Sequence, residues 1–352
     1  MYIIIALLLF GFLIFIHEFG HFFTAKLLGV KVNEFSLNMG PALFQKQWGE
    51  TTYSLRLIPI GGYCAMEGED TETGDPRAFT AKSWWRRAII LCAGAFMNYL
   101  AGLVIIIILL FTSSSSMIDA QIAELEPGSS LAAGGLQEGD IFYSIDGERI
   151  YVYSDWSMLV SRSEDTVFDV VVIRDGEKIS FSELEMVKDW FDTDGEQTLR
   201  YGVTFTVVER TPLRVMKEAW YSAIDFARMV KLGLLDLLSG DAGLSDVSGV
   251  VGIVEVINDT GEASETVAEG IRSVMYLGAF LAVNLAYMNM LPIPALDGGR
   301  VFFLLVTTAV EKITRRKIDP RYEGYIHAAG MVVLLAFMAI ITLKDIINLF
   351  VS

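Results

Sequence analysis

Cysteine is nearly absent from this 352-residue chain. Cys64 and Cys92 form no CxxC pair and are too few to staple a disulfide scaffold, so each is expected to pack as a small apolar side chain. Basic residues are also short: 27 Lys and Arg stand against 43 Asp and Glu, giving a formal charge of −16. With no basic stripe to neutralise phosphates, nucleic acid is excluded as a partner. Histidine occurs three times. There is no internal repeat, and no low-complexity tract beyond Ser113 to Ser116. Apolar residues, by contrast, make up 53% of the chain, and the mean hydropathy of +0.46 is well above that of a soluble globular protein. Membrane burial is the first expectation.

A bilayer crossing needs about 20 apolar residues at 1.5 Å rise. Four stretches meet that length: Tyr2 to Ala25, Ala88 to Phe111, Val274 to Leu296, and Ala328 to Val351. The first lacks a basic n-region and a small-x-small cleavage site, so it is expected to be retained rather than removed as a signal peptide. Residues 113–273 carry 30 acidic and 12 basic side chains, whereas the remainder carries 13 and 15. The basic residues cluster between the first two spans (Lys26, Lys31, Lys46, Arg56, Arg77, Lys82, Arg86, Arg87) and between the last two (Arg300, Lys312, Arg315, Arg316, Lys317, Arg321). By the positive-inside rule both of those loops are cytoplasmic, which places the termini and the acidic central block outside.

From Ile118 the pattern changes to short alternating runs broken by Pro127-Gly128, Gly134-Gly135, Gly139-Asp140, Asp146-Gly147 and Asp175-Gly176. Thr166 to Arg174 reads as a strand, and Asp175-Gly176 as its hairpin turn into Lys178 to Leu184. Leu213 to Leu238 reads as an amphipathic helix at the interface or packed on the spans. The expected fold is a polytopic α-helical membrane protein of four transmembrane helices with an inserted extracytoplasmic β-rich domain. Its divisions are residues 1–112 (first half of the membrane core), 113–210 (the β-rich domain), 211–273 (amphipathic helix and linker) and 274–352 (second half of the core).

The chemistry lies at the end of the first span, in His17-Glu18-Phe19-Gly20-His21, the HExxH pattern. Residues four apart share a helix face, so both imidazoles can bind one Zn²⁺ with Glu18 beside the open coordination position. The metal lowers the pKa of a bound water to about 7, and the carboxylate accepts its proton as it attacks a polarised amide. Two of the three histidines fall in this motif, inside a span where an ionisable group costs at least about 2.5 kcal/mol. Packing alone is a poor explanation for them. His17 lies about 22 Å along the helix from Tyr2, which sets the site within the hydrocarbon.

A catalytic zinc usually has three protein ligands, so another must come from elsewhere. The candidates are His327 or an acidic residue in another span. Asp297 is preferred, because it follows Asn289-Met-Leu-Pro292-Ile-Pro294-Ala-Leu296, where two prolines break the helix, and precedes Gly298-Gly299. Irregular backbone at membrane depth is tolerated only inside protein or beside a wet cavity. His327, in the basic loop at the start of the last span, is expected at the interface, as are Lys344 and Asp345 near its other end.

These residues carry a resemblance. His17-Glu18-x-x-His21, Asn289 through Gly299 and the intervening extracytoplasmic module resemble the site-2 protease family of intramembrane zinc metalloproteases. Within it, the chain is similar to the bacterial regulator of sigma-E protease branch with a single PDZ domain. Gly61-Gly62-Tyr63 through Met66 resembles that branch's membrane-associated β-hairpin loop, Gly94-x-x-x-Asn98 its second span, and Leu125-Glu-Pro-Gly-Ser-Ser with Gly139-Asp140 its PDZ turns. The resemblance implies His17, His21 and Asp297 as zinc ligands, Glu18 as general base, and Asn98 and Asn289 as substrate-binding residues. It also implies a multi-pass protein of the bacterial inner membrane, acting on single-span membrane proteins such as anti-sigma factors or remnant signal peptides. Where relatives often have Gly-Pro-Val-Gly-Ile after the PDZ domain, this chain has Gly249-Val250-Val251-Gly252-Ile253.

A helical substrate must unwind before its amides can react. Thr52 to Ile60 alternates enough to offer a strand edge for β-addition, or it forms an ordinary cytoplasmic hairpin. Gly94, Asn98 and Gly102 form a stripe at spacing four, with Asn98 facing either the substrate or a neighbouring helix. The PDZ-like domain is expected to exclude substrates with bulky outer domains. The competing class is a proteolytically inactive membrane scaffold or chaperone that recruits partners through that domain. Glu18 discriminates, because a structural zinc uses four protein ligands and needs no adjacent carboxylate.

Overall fold

The computed structural model describes the chain apart from residues 70, 72, 114, 115, 164, 194, 195, 242, 244–246, 316–320 and 352. Arg316 and Lys317 of the second basic loop, and the middle of the Ser113 to Ser116 tract, lie outside the described residues. In chain order the elements are α1 (Tyr2–Leu27), β1 (Val32–Trp48), β2 (Thr51–Met66), α2 (Trp84–Thr112), β3 (Met117–Leu125), α3 (Ser130–Ala133), β4 (Ile141–Ile145), β5 (Glu148–Arg149), α4 (Tyr153–Arg162), β6 (Val167–Arg174), β7 (Glu177–Glu185), β8 (Asp189–Thr193), β9 (Glu196–Arg200), β10 (Val203–Val208), α5 (Pro212–Ser239), α6 (Val250–Glu262), α7 (Val267–Asn289), α8 (Asp297–Thr314) and α9 (Arg321–Val351). They fall into two compact units, one of residues 1–109 with 226–352 and one of residues 110–225.

Among the described residues, four helices are long and apolar enough to cross a membrane: Tyr2–Leu27, Trp84–Thr112, Val267–Asn289 and Tyr322–Ile347. Lipid is as apolar as leucine, so such helices associate through close packing of small residues. Gly20 of α1 fits against the Ala93 carbonyl of α2, Gly102 of α2 against Val283 and Ala279 of α7, and Gly278 of α7 against Leu9 of α1. The third helix starts earlier than its hydropathy implies, because Thr266 and Glu269 form a reciprocal capping box ahead of it. It ends at Asn289, before Pro292, rather than running on to Leu296. A separate helix, α8, then begins at Asp297 in what reads from sequence as a loop.

Extended segments β1 and β2 pair in two registers. Glu34 to Leu37 lies between Thr52 to Leu55 on one side and Gly62 to Ala65 on the other, and Phe44 to Trp48 folds back on Leu55 to Thr51. Phe35, Cys64 and Met66 from this sheet pack with Ala25 and Val30, with Ile90 and Leu91 of α2, and with Leu304 of α8. Glu34 accepts hydrogen bonds from Ser54 (2.6 Å) and Arg56 (2.8 Å). Burial acts to raise its pKa, but these bonds prevail and hold it below the usual carboxylate range. Both cysteines are free thiols, and burial pushes the Cys64 thiol well up.

The second unit is β-rich. Its main sheet has the order β10-β3-β4-β6-β7, with β5 beside β4, and β8 and β9 form a separate hairpin. Phe142, Ile122, Leu131, Ile145, Val170 and Val172 fill its core, with Trp156 of α4 packed on top. The β6–β7 turn is Asp175-Gly176, both at positive φ, as a two-residue hairpin of matching twist requires. Asp140, fully buried, takes two bonds of 2.7 Å from the Arg174 guanidinium, which fixes the start of β4 against the end of β6.

Candidate metal centre

His17 and His21 sit one turn apart on α1, and the Pro292-to-Leu296 bend delivers Asp297 to them at the first turn of α8. His17 Nε2 and His21 Nε2 are 3.3 Å apart, and Asp297 Oδ2 lies 3.2 Å from each. Among the described residues this is the one cluster of three His, Cys, Asp or Glu side chains with ligand atoms converged in this way.

Two features test whether a zinc ion fits this triangle. Zinc bonds of about 2.0–2.1 Å in tetrahedral geometry put neighbouring ligand atoms about 3.3 Å apart. The three observed separations match three vertices of such a tetrahedron and leave the fourth free. The second feature is protonation. His21 Nδ1 donates to the Ile90 carbonyl at 2.8 Å, and a carbonyl only accepts, so the neutral ring turns a bare Nε2 toward the cluster. Asp297 Oδ2 is likewise buried and, among the described residues, has no partner beyond the two rings. Two of the three converging atoms, His21 Nε2 and Asp297 Oδ2, thus present electron pairs without a proton of their own, which suits a cation.

Two glycine contacts make the convergence possible. A Cβ at Gly94 would lie 2.3 Å from His21 Nε2 and 2.8 Å from His17 Cε1, so only glycine lets α2 pass this close to the rings. Gly298 and Gly299 face the Met290 and Ile293 carbonyls at 2.3 and 2.2 Å from a would-be Cβ, so the proline loop wraps directly over the start of α8. Within that loop Ala295 has a φ of 83°, an unusual conformation for a residue with a Cβ. Its N–H donates to His327 Nδ1 at 3.1 Å.

His327 is thereby placed differently from the sequence expectation. It lies within α9, which starts at Arg321, and is 9% exposed. It holds the loop that carries Asp297 rather than facing an interface. Asp345 is also buried, and its Oδ2 accepts from Gly249 and Gly252 N–H at 2.9 and 3.0 Å, so it caps α6. Lys344 donates to the Val247 carbonyl at 2.7 Å. A distance of more than 90 residues hides these pairings from sequence reading. Glu18 is half-buried beside Gly62, where a Cβ would sit 3.0 Å from Glu18 Cγ. Asn98 is 1% exposed, with Nδ2 3.4 Å from His17 Nδ1, and Asn289 is half-buried at the end of α7. On the other side of α2, an apolar cavity of about 350 Å³ is lined by Cys92, Phe96, Tyr99, Val283, Tyr287 and Met290.

Two histidines and a carboxylate gathered among membrane-length helices, with a glutamate beside them, define a membrane-embedded metallopeptidase. The chain belongs to peptidase family M50, the site-2 proteases, whose family model matches residues 5–337. It is 35% identical over 349 residues to "Putative zinc metalloprotease CPE1693" of Clostridium perfringens, covering 99% of each chain. It is 27% identical to the regulator of sigma-W protease RasP of Bacillus subtilis, again over 99% of each. Zinc metalloprotease RasP of Geobacillus kaustophilus is 27% identical, over 99% of this chain and 98% of that one. The protein is a metallopeptidase of the intramembrane type.

Proposed function

We propose that the chain is a zinc endopeptidase that cuts single-span membrane proteins, with zinc held by His17, His21 and Asp297 and with Glu18 as general base. The observation that carries this reading is the near-equilateral triangle of donor atoms with its open fourth corner. A zinc ion held there by His17, His21 and Asp297 would supply Lewis-acid chemistry, polarising a carbonyl and acidifying water. Glu18 serves as the carboxylate that accepts a proton from the attacking water and returns it to the departing nitrogen. The scaffold alternative has no use for Glu18 and is not favoured.

Presentation of the substrate falls to the sheet. Gly62 to Met66 pairs on one side with Val32 to Leu37, and Gly62 abuts Glu18. A substrate unwound from its helix adds along the opposite side, its main chain held by hydrogen bonds and its carbonyl brought next to Glu18. This moves the strand edge from Thr52 to Ile60, which is flanked on both sides over Thr52 to Leu55, to the Gly-Gly segment after it. Asn289, at the end of α7, is assigned to the substrate backbone.

Basic loops after α1 and α8 put the metal on the cytoplasmic side of a bacterial inner membrane, with residues 113–210 outside as a PDZ-like domain. That domain excludes substrates with bulky outer portions. By analogy with the relative named for sigma-W regulation, the substrates are anti-sigma factors or remnant signal peptides.

The test is mass spectrometry of membrane peptides after incubation of the wild-type chain or Glu18→Gln with a bacterial membrane fraction. Peptides cut within a single apolar span by the wild type alone are expected. An identical peptide set from the two proteins would overturn the assignment.

A further inference from the structure

His21 and His17 are not held in the same way. The Ile90 main-chain carbonyl fixes the proton of His21 on Nδ1, whereas Nδ1 of His17 faces a side chain, the Asn98 carboxamide on α2. Asn98 sits one helical turn beyond Gly94 and is 1% exposed, too deep to reach a substrate strand. Its Oδ1 is buried with no partner among the described residues, and no other described residue pairs with His17 Nδ1.

We infer that Asn98 is a positioning residue for His17, its side-chain carbonyl accepting the Nδ1 proton and so leaving Nε2 bare for the metal. The inference rests on the zinc reading above. The two ends of a carboxamide have the same shape, and their orientation follows from the bonds they make. With the NH₂ toward His17, Nδ1 would be the acceptor and the ring proton would sit on Nε2, in the middle of the donor triangle, where it blocks ligation. Turning the amide over reverses this. Oδ1 then accepts from Nδ1–H, as the Ile90 carbonyl does for His21, and both rings present lone pairs to one point. A partner on the far nitrogen of a ligating histidine sets both its tautomer and its angle.

The experiment is chelator competition for zinc on the full-length chain in detergent, comparing wild type, Asn98→Leu and Asn98→Asp. Leucine keeps the approximate volume and removes the acceptor, and aspartate restores an acceptor that cannot donate. Asn98→Leu is expected to bind zinc about 10–100-fold more weakly, with Asn98→Asp within about threefold of wild type or tighter. General loosening of the α1–α2 contact would weaken both variants alike, so an equal loss in the two overturns the inference. So does an Asn98→Leu affinity equal to wild type, which would return Asn98 to helix packing. If wild type binds no zinc at all, the metal reading itself fails, and that result is distinct from either of these.

Discussion

Gly94 and His21 are in such close contact that one methyl group at position 94 would occupy the space of the imidazole nitrogen, 2.3 Å away. Gly94→Ala therefore has to move either α2 or both rings. Zinc content by elemental analysis and cleavage of a fluorogenic membrane substrate are expected to fall together, cleavage by at least about 100-fold, since displacements near 1 Å cost that much. Gly102→Ala, eight residues further on, meets Val283 and the Ala279 carbonyl instead. It is expected to lower the melting temperature while leaving the zinc content intact.

Glu18→Gln removes the proton acceptor and keeps the side chain's size. Zinc remains bound at one ion per chain, because Glu18 is not a member of the donor triangle. Turnover falls by about 10²–10⁴-fold, the usual contribution of general acid–base catalysis. Zinc lost in proportion to activity would show that Glu18 acts on the metal instead.

The buried Asp140–Arg174 pair binds two strands of the β-rich unit. Asp140→Ala leaves the guanidinium facing a space it cannot solvate fully, and it also removes the acceptor for Gln137 N–H. A loss of about 3–5 kcal/mol is expected in urea unfolding followed by the fluorescence of Trp156.

Glu218 on α5 makes the same unit sensitive to pH. Burial, followed by repulsion from Asp119 and Asp155, raises its pKa to about 7. Below the ordinary carboxylate value both folded and unfolded states hold the proton, so there is no effect. Between that value and about 7 the unfolded chain releases its proton first, and stability falls as pH rises. Glu218→Gln abolishes the penalty. The variant is expected to match wild type near pH 4 and to be about 1–2 kcal/mol more stable at pH 7.5, read as a gap between melting curves that opens with pH.

How much of this was legible beforehand varied with the distance over which the signal acts. His17, Glu18 and His21 are readable because a helix turns in under four residues, so spacing alone sets their common face. Asp297 is readable because Pro292 and Pro294 announce a break at a depth where breaks need a reason. Thr52 to Ile60 reads as a strand edge or an ordinary hairpin, and Thr52 to Leu55 is paired on both sides, because alternation marks a strand while its partners leave no local trace. His327 reads as an interfacial residue because it follows a cluster of Lys and Arg. Its partner is one backbone N–H at Ala295, invisible to any periodicity. Asp345 escaped for the same reason, because its two glycine N–H partners lie more than 90 residues earlier.

The bond from Ala295 to His327 has a further bearing on biosynthesis. The third donor rides on a bend whose twisted residue is pinned by the final helix, while the first two donors emerge from the ribosome almost 280 residues sooner. A nascent chain halted before α9 carries all three converging side chains yet lacks the contact that pins the bend ahead of the last of them.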